Sequence, residues 1–225
     1  MICGYWRLME WGMSPQQLLT FIEQHVELGV TTVDHADIYG GYACEQAFGD
    51  ALRLKPALRQ SLELVSKCGI ATTAKPGNPI GHYITDRDHI VQSAEHSLRY
   101  LHTDYLDLLL IPRPDPLMDA DDVAEAFVAL HKSGRCAISA SLTLRPRSSN
   151  CCSRVCRSLW SPIRWKFRRF TNRRSWTGTL DQCQQLRIKP MAWSCLGGAP
   201  LVQRAEFQPL RESCCGWRKD RARDH

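Results

Sequence analysis

The chain has 225 residues and a formal net charge of +6, with 44% apolar and 23% charged residues, which is typical of an ordinary globular protein. It contains neither a run of about 18 apolar residues nor a basic and then apolar secretory leader, so we expect no membrane span and a cytoplasmic location. The charge is uneven, because residues 1–134 hold 10 Lys/Arg and 18 Asp/Glu, whereas residues 135–177 hold 11 Lys/Arg and no acidic residue.

Residues 1–134 alternate short apolar strands with amphipathic helices. A predicted strand at about 2–6 is followed by Ser14-Pro15 and Gln17, the N-cap, first-turn proline and capping-box residue of a helix that Gly29 ends. In chain order, the next predicted elements are a strand at 31–36, a helix at 44–54, a strand at 62–69, a helix at 88–101, a strand at 104–112 and a helix at 119–133.

Four successive βα units indicate a parallel sheet with right-handed crossovers. An open doubly wound sheet usually carries a glycine-rich phosphate loop after its first strand, and the sequence has none there. We therefore predict the α/β class and a (β/α)8 TIM barrel, in which chemistry lies where the strands end. The alternation resumes after residue 177, with a short helix at 178–187 and a strand and loop at 189–198.

Three residues that could act together follow the second and third predicted strands. Asp34 and Tyr39 stand five residues apart after one strand, and Lys67 ends the next. A lysine cation beside a phenol stabilises the phenolate and lowers the tyrosine pKa from its reference of about 10, while a carboxylate can hold the lysine in place. Such a tyrosine is a workable general acid for a carbonyl oxygen that receives hydride. The alternative is a loop tyrosine near a surface ion pair.

The segments "TTVDHADIYGGYACE", "ELVSKCGI" and "LDLLLIPRPDPLMDADDV" resemble the aldo-keto reductase family, and within it bacterial oxidoreductases. The resemblance covers about residues 3–134 and 178–212. It implies that Asp34, Tyr39 and Lys67 are three of the family's four catalytic residues. By that resemblance Tyr39 would be the acid, Lys67 would lower its pKa, and Asp34 would hold Lys67.

The same resemblance implies an NADP(H)-dependent interconversion of aldehydes or ketones with alcohols. "AWSCLGG" resembles the loop around the cofactor pyrophosphate, with Trp193, Ser194 and Leu196 in the matching places, and Gly4 matches a position near the nicotinamide. The implied partner is a small carbonyl substrate. We expect no metal, nucleic acid or membrane partner, and the oligomeric state stays open.

The chain departs from the family pattern at the end of the fourth strand. Pro112 stands where the family has its fourth catalytic residue, a histidine that orients the carbonyl. Because proline offers neither a ring nitrogen nor a backbone N–H, we expect much weaker catalysis. The chain also begins almost at the first strand, so we expect it to be truncated and to lack the family's N-terminal cap.

The resemblance stops at Arg135, where a segment rich in Arg, Cys and Trp begins. With suitable synonymous codons, "CAISASLT" shifted by one base encodes Val-Arg-His-Phe-Gly-Val-Ser-Asn, which resembles the family's fifth strand and its Ser-Asn pair. Suitable codons for "LWSPIRWKFRR", shifted in the same way, encode a segment that resembles the family's sixth strand. We therefore predict a first barrel half at 1–134, an anomalous, out-of-frame basic segment at 135–177, a later barrel piece with the cofactor loop at 178–212 and an anomalous tail at 213–225.

Other interpretations of the basic segment stay open. Arginines interleaved with aromatic residues are also found in nucleic-acid-binding arms, and Cys151, Cys152 and Cys156 could be metal ligands, although their spacing matches no zinc pattern well. If the frame is lost, strands five, six and eight of the barrel are lost and open edges remain. We then expect a chain that folds poorly and is weakly active, or an inactive remnant without catalysis.

Overall fold

The structure is a computed structural model that describes residues 1–113, 115–141, 164–166, 184–185 and 191–193. The chain divides into two compact units, Met1–Ile163 and Arg164–His225. The helices of the first unit are α1 (Pro15–Glu27), α2 (Cys44–Leu52), α3 (Arg87–Tyr100) and α4 (Ala120–Lys132), with short 3-10 helices at Leu8–Trp11 and Pro56–Ser61. Its strands are β1 (Ile2–Gly4), β2 (Thr32–Asp34), β3 (Glu63–Lys67), β4 (Ile70–Ala71), β5 (His82–Tyr83), β6 (Leu106–Ile111) and β7 (Cys136–Ser141).

Five strands form one parallel sheet in the order β1-β2-β3-β6-β7. The hydrogen-bonded register places Gly4 opposite Asp34 and Asp34 opposite Val65, and it places Lys67 opposite Leu110. Strands β4 and β5 form a separate antiparallel pair after β3. Because the five strands are parallel, their carboxyl ends lie at one edge of the sheet, which is the edge that receives the predicted catalytic residues.

Helix α1 begins and ends as the sequence predicts. The Ser14 hydroxyl accepts a hydrogen bond from the Gln17 N–H at 3.3 Å, and the Gln17 side chain accepts one from the Ser14 N–H at 2.9 Å. This capping box pairs N–H groups that helix geometry leaves unpaired. Gly29 follows the helix with a φ of +76°, a left-handed conformation that glycine adopts without steric cost.

The helices pack apolar side chains at helical spacing against the sheet. Each fully buried aliphatic or aromatic side chain contributes about 1.5–3 kcal/mol to folding. Strand β6 is buried along nearly its whole length, as its apolar sequence predicts. The largest side chains of this core are Tyr5, Leu18, Ile22, Phe48, Leu52, Leu64, Ile90, Leu101, Leu106, Leu109 and Phe127.

Arg59 joins the amino-terminal ends of β3 and β6. Its guanidinium donates to the Leu62 carbonyl at 2.8 Å, to the Tyr105 carbonyl at 2.9 Å, to Thr103 Oγ1 at 2.8 Å and to Asp107 Oδ2 at 2.8 Å. The guanidinium carbon also lies 3.9 Å from the centroid of the Tyr105 ring. The planar fork of arginine suits this set of acceptors, which a lysine could not match.

Arg59→Met is expected to lower the free energy of unfolding by about 3 kcal/mol, because it leaves the acceptors of the buried guanidinium without their donor. Urea unfolding of the two chains measures the difference. Arg53→Met is the control, since Arg53 is exposed and its loss should cost less than about 0.5 kcal/mol. Equal midpoints and slopes for both variants would show that the Arg59 contacts carry little stability.

The structure differs from the sequence expectation at the places of strands five and six. Cys136–Ser141 form β7, which pairs in parallel with β6. In the second unit Arg164–Lys166 form β8, which pairs in parallel with β9 (Met191–Trp193). The expectation that both strands are lost is corrected for these residues. Strand pairing uses backbone groups that every residue except proline carries in full, so strands can form here whatever side chains the segments carry.

Candidate active site

Two neighbouring strands and one loop bring the predicted catalytic residues together. Asp34 is the last residue of β2, and Lys67 is the last residue of β3. Tyr39 lies on the loop between β2 and α2. Parallel pairing of β2 with β3 therefore places the carboxylate and the ammonium at the same edge of the sheet. The phenol follows β2 in the loop that leaves this edge.

Lys67 contacts both of the other residues. Its ammonium donates to the Tyr39 hydroxyl at 2.9 Å, pairs with Asp34 Oδ1 at 2.9 Å and donates to the backbone carbonyl of His35. The Tyr39 hydroxyl donates to Asp34 Oδ2 at 3.3 Å. Because a lysine ammonium has three N–H donors, these three contacts fix the position of its charge.

Burial separates the ion pair from the phenol. Asp34 and Lys67 are 4% and 3% exposed, whereas Tyr39 is half-buried. Buried charges cost several kcal/mol each unless they are paired and hydrogen-bonded, and this pair meets that condition. A cation at hydrogen-bond distance favours the phenolate form of a tyrosine. The arrangement can therefore support release of a proton from Tyr39 to an acceptor outside the pair.

Two glycines shape the loop directly after Tyr39. Gly40 and Gly41 have φ angles of +58° and +64°, which are left-handed conformations. A Cβ on Gly40 would lie 2.6 Å from both Cys44 Sγ and Met9 Cγ, a distance at which atoms clash. The left-handed backbone together with the close packing of Met9 and Cys44 therefore favours glycine here, in the loop that carries the phenol.

His35 is a buried residue next to the ion pair whose role the sequence did not indicate. Its ring stacks on Tyr5 with centroids 5.0 Å apart and meets Phe48 edge-on at 4.5 Å. Both ring nitrogens are buried without a hydrogen-bond partner among the residues that the structure describes. Burial lowers the pKa of His35 to about 3, with the Asp34 carboxylate opposing this shift and the Lys67 ammonium adding to it. The imidazole is therefore neutral and packs as an aromatic ring.

His35→Phe is expected to make the chain more resistant to acid. Between pH 6.5 and about 3 the unfolded chain binds a proton at this position that the folded chain does not, so stability falls as pH falls. By pH 4 the loss is on the order of 3 kcal/mol, and phenylalanine removes it. Thermal unfolding from pH 7 to pH 4 measures the effect, with the exposed His82→Gln as control. Parallel pH curves for His35→Phe and the parent would contradict this prediction.

Asp37 is a second acidic residue near Lys67, and its carboxyl group is mostly uncharged at neutral pH. Burial and the nearby Glu45 carboxylate raise the pKa of Asp37 to about 8, although the Ile38 N–H, Lys67 and Lys75 oppose this shift. The Asp37 carboxyl is therefore mostly protonated at neutral pH. Its backbone N–H donates to the Lys67 carbonyl at 3.0 Å, which ties the loop after β2 to the end of β3.

The other residues of the family resemblance are described less completely. Gly4 ends β1 opposite Asp34, and a Cβ there would meet nothing within 4 Å. Pro112 directly follows β6, so it lies at the end of the fourth strand of the main sheet, as the sequence predicted. Trp193 ends β9 in the second unit, and Ser194 and Leu196 lie outside the described residues.

The described part of the chain offers neither a metal-binding cluster nor a membrane-spanning helix. Among the residues that the structure describes, no group of three or more His, Cys, Asp or Glu side chains could hold a metal ion. Cys151, Cys152 and Cys156, and most of the basic segment, lie outside those residues. Within the described part no helix is both long and apolar enough to cross a membrane.

Known proteins resemble this chain in sequence along most of its length. The sequence model of the Aldo/keto reductase family matches residues 1–213. The chain belongs to the aldo/keto reductase family. This aldo/keto reductase chain is 56% identical over 220 residues to Oxidoreductase YdhF of Escherichia coli K12, covering 94% of the chain and 71% of that relative. It is 38% identical over 212 residues to 6-dehydroglucose reductase of Agrobacterium fabrum, covering 91% of the chain and 70% of that relative.

Solved structures resemble the aldo/keto reductase chain in fold. Aldo-keto reductase AKR11C1 from Bacillus halodurans superposes with a TM-score of 0.75 at 23% identity, covering 91% of this chain and 64% of that one. An aldo-keto reductase from Klebsiella pneumoniae, solved in complex with NADPH, gives a TM-score of 0.73 at 25% identity, covering 92% and 68%. The chain thus spans about two thirds of these proteins. The predicted α/β class and (β/α)8 barrel fold are confirmed, and the described sheet supplies consecutive parallel strands of that barrel.

Proposed function

We propose that this chain derives from an NADP(H)-dependent oxidoreductase that reduces small aldehydes or ketones to alcohols. The observation that supports this most is the contact of the Lys67 ammonium with both Tyr39 and Asp34 at the carboxyl ends of β2 and β3. The Klebsiella pneumoniae relative was solved with NADPH, which supports the same cofactor. A location in the cytoplasm is part of the proposal.

In the proposed reaction Tyr39 is the general acid. The nicotinamide, when bound, supplies a hydride to the carbonyl carbon. The Tyr39 hydroxyl gives its proton to the carbonyl oxygen, Lys67 stabilises the phenolate that remains, and Asp34 holds Lys67 through the buried ion pair. Solvent returns a proton to the half-buried phenol. Gly4 would leave room for a flat ring beside Asp34, because the space that a Cβ would face is open.

Cofactor binding and turnover test this function together. Purified chain is titrated with NADPH by fluorescence and then assayed for NADPH oxidation with a panel of aldehydes and ketones. The panel includes carbonyl derivatives of hexoses, because one relative is a 6-dehydroglucose reductase. We expect saturable binding and slow turnover that Tyr39→Phe combined with Lys67→Met removes. Turnover that survives this double substitution would refute the proposed roles.

Pro112 supports the proposal that catalysis here is impaired. Pro112→His is expected to raise kcat/KM for carbonyl reduction by about tenfold or more, because an imidazole N–H at the end of β6 could bind the carbonyl oxygen as charge develops on it. The NADPH oxidation assay measures the change, and Pro112→Ala is the matched control. If histidine and alanine gave the same kcat/KM, the absent histidine would not be the cause of weak activity.

An inactive remnant is the second candidate, and the segment at 135–177 is the observation that favours it. We propose that about 136–176 and the tail after Ser213 are translated out of frame, which would replace the family's side chains in these parts of the barrel. Sequencing the coding DNA tests this directly, since its other frame must encode residues that match the family's fifth and sixth strands. A chain that binds no NADPH would favour the remnant, and salt-sensitive retention on DNA would instead favour a nucleic-acid-binding arm.

A further inference from the structure

Glu45 is a buried carboxyl that the proposed reaction does not use. It lies in the first turn of α2 and is 2% exposed. Its Oε1 accepts a hydrogen bond from Ser66 Oγ at 2.5 Å, and its Oε2 accepts one from Ser97 Oγ at 3.0 Å. Both serines are buried as well. One carboxyl group therefore joins α2, β3 and α3 inside the protein.

The placement of this carboxyl is costly for a purely structural contact. A buried ionised group loses its hydration, and well-packed apolar side chains of the same volume are often as stable. Burial raises the pKa of Glu45, while the Ser66 and Ser97 hydroxyls and the Lys67 cation lower it. Both serine hydroxyls donate to the carboxylate oxygens, and hydrogen bonds of this kind favour the ionised form of a carboxyl group.

Ser66 connects Glu45 to the candidate active site. Ser66 directly precedes Lys67 on β3, and successive side chains of a strand point to opposite faces of the sheet. The hydrogen bond from Ser66 to Glu45 therefore lies on one face of β3, and the Lys67 side chain extends from the other face to contact Asp34 and Tyr39.

Four ionisable groups interact electrostatically with the Glu45 carboxylate. The Lys67 ammonium on β3 attracts the carboxylate. Asp37 in the loop after β2, Cys44 on α2 and Cys68 after β3 face it and would repel it if they were ionised. Asp37, whose pKa is about 8, is ionised in the alkaline range of a tyrosinate titration and is then a second negative charge near Glu45, while burial raises the pKa of both thiols. Lys67 is therefore the cation on which the Glu45 charge acts.

We propose that Glu45 is a positioning residue for Lys67, which clamps β3 through Ser66 and adds negative charge behind the Lys67–Tyr39 contact. The inference rests on the proposed function of Tyr39 as an acid. It has two consequences of opposite sign. Removal of the Glu45 charge makes the phenolate of Tyr39 easier to form. Loss of the Ser66 bond loosens Lys67 and makes the phenolate harder to form.

Ultraviolet titration of tyrosinate tests this without requiring turnover. The Tyr39 signal is the difference between each chain and the same chain with Tyr39→Phe. Glu45→Gln keeps an acceptor for Ser66 and is expected to lower the Tyr39 midpoint by about half a pH unit or more. Ser97→Ala is the matched control, because it removes a bond to the same carboxyl on the α3 side and should leave the midpoint unchanged.

Ser66→Ala provides a second test that can be used if Glu45→Gln does not fold. We expect it to raise the midpoint of Tyr39 ionisation. An unchanged Tyr39 midpoint in Glu45→Gln, or an equal shift in Ser97→Ala, would show that Glu45 is structural and overturn the inference. A Lys67→Met chain separates the two levels. If Lys67→Met moves the midpoint and Glu45→Gln does not, the Glu45 inference alone fails. If Lys67→Met has no effect, the proposed function fails first.

Discussion

Tyr39→Phe is expected to lower kcat for carbonyl reduction by about 10²- to 10⁴-fold, which is the usual contribution of a positioned general acid, and to leave NADPH affinity unchanged. Phenylalanine keeps the ring, whose centroid lies 4.5 Å from Lys67 Nζ, but it removes the hydroxyl that contacts Lys67 and Asp34. The rate of NADPH oxidation measures this loss, and the Pro112→His chain gives a larger starting rate if the parent is slow.

Tyr42→Phe is the matched control for that experiment. Tyr42 lies on the same loop, and its hydroxyl accepts a hydrogen bond from the Thr72 N–H at 3.0 Å rather than contacting the ion pair. Its loss should lower kcat less than about tenfold, because it removes only the neutral hydrogen bonds from the Thr72 N–H and hydroxyl. If Tyr39→Phe lowered kcat no more than Tyr42→Phe, the phenol of Tyr39 would not be the acid.

Gly49→Ala is expected to lower the free energy of unfolding by about 3 kcal/mol or to prevent folding. A Cβ on Gly49 would lie 1.8 Å from the Tyr100 carbonyl oxygen and 2.9 Å from Leu101 Cα. Both are backbone atoms, so the clash can be relieved only by moving α2 away from α3. Urea unfolding, or the soluble yield if the chain does not fold, measures the effect.

Gln46→Ala is the control for helix α2. Its side chain makes a single hydrogen bond to Asp50 Oδ1 at 2.9 Å, one turn along the same helix, and removing such a pair costs about 0.2–0.5 kcal/mol. Alanine also suits a helix better than glycine by about 1 kcal/mol, so without the clash Gly49→Ala would stabilise the chain. A Gly49→Ala chain as stable as the control would mean that α2 and α3 are not in close contact.

The order of the elements could be predicted from the sequence because the rules that decide it are local. Ser14, Pro15 and Gln17 mark the start of α1 by capping chemistry alone, and the predicted helix at 88–101 agrees with α3 (Arg87–Tyr100) within one residue. The apolar run at 104–112 likewise predicted β6. Tyr39 and Lys67 could be paired in advance because parallel strands end at one edge of a barrel.

Contacts between distant parts of the chain could not be predicted in this way. Glu45 meets Ser97 across 52 positions, and Arg59 meets Asp107 across 48, so neither contact leaves a periodic pattern. The sequence gives no sign that His35 is buried, yet in the structure its ring is fully buried and stacks on Tyr5. The strand β7 was not predicted, because its pairing with β6 depends on backbone groups that leave no side-chain pattern in the sequence.

The dependence of Tyr39 ionisation on Lys67 is the measurement that tests the account most directly. Tyrosinate absorbance is followed through the alkaline range for the parent and for Lys67→Met, and the corresponding Tyr39→Phe spectra are subtracted from each. We predict that the Tyr39 midpoint rises by at least about one pH unit when the ammonium is removed, as expected for an opposite charge at hydrogen-bond distance. The same midpoint in both chains would contradict the account.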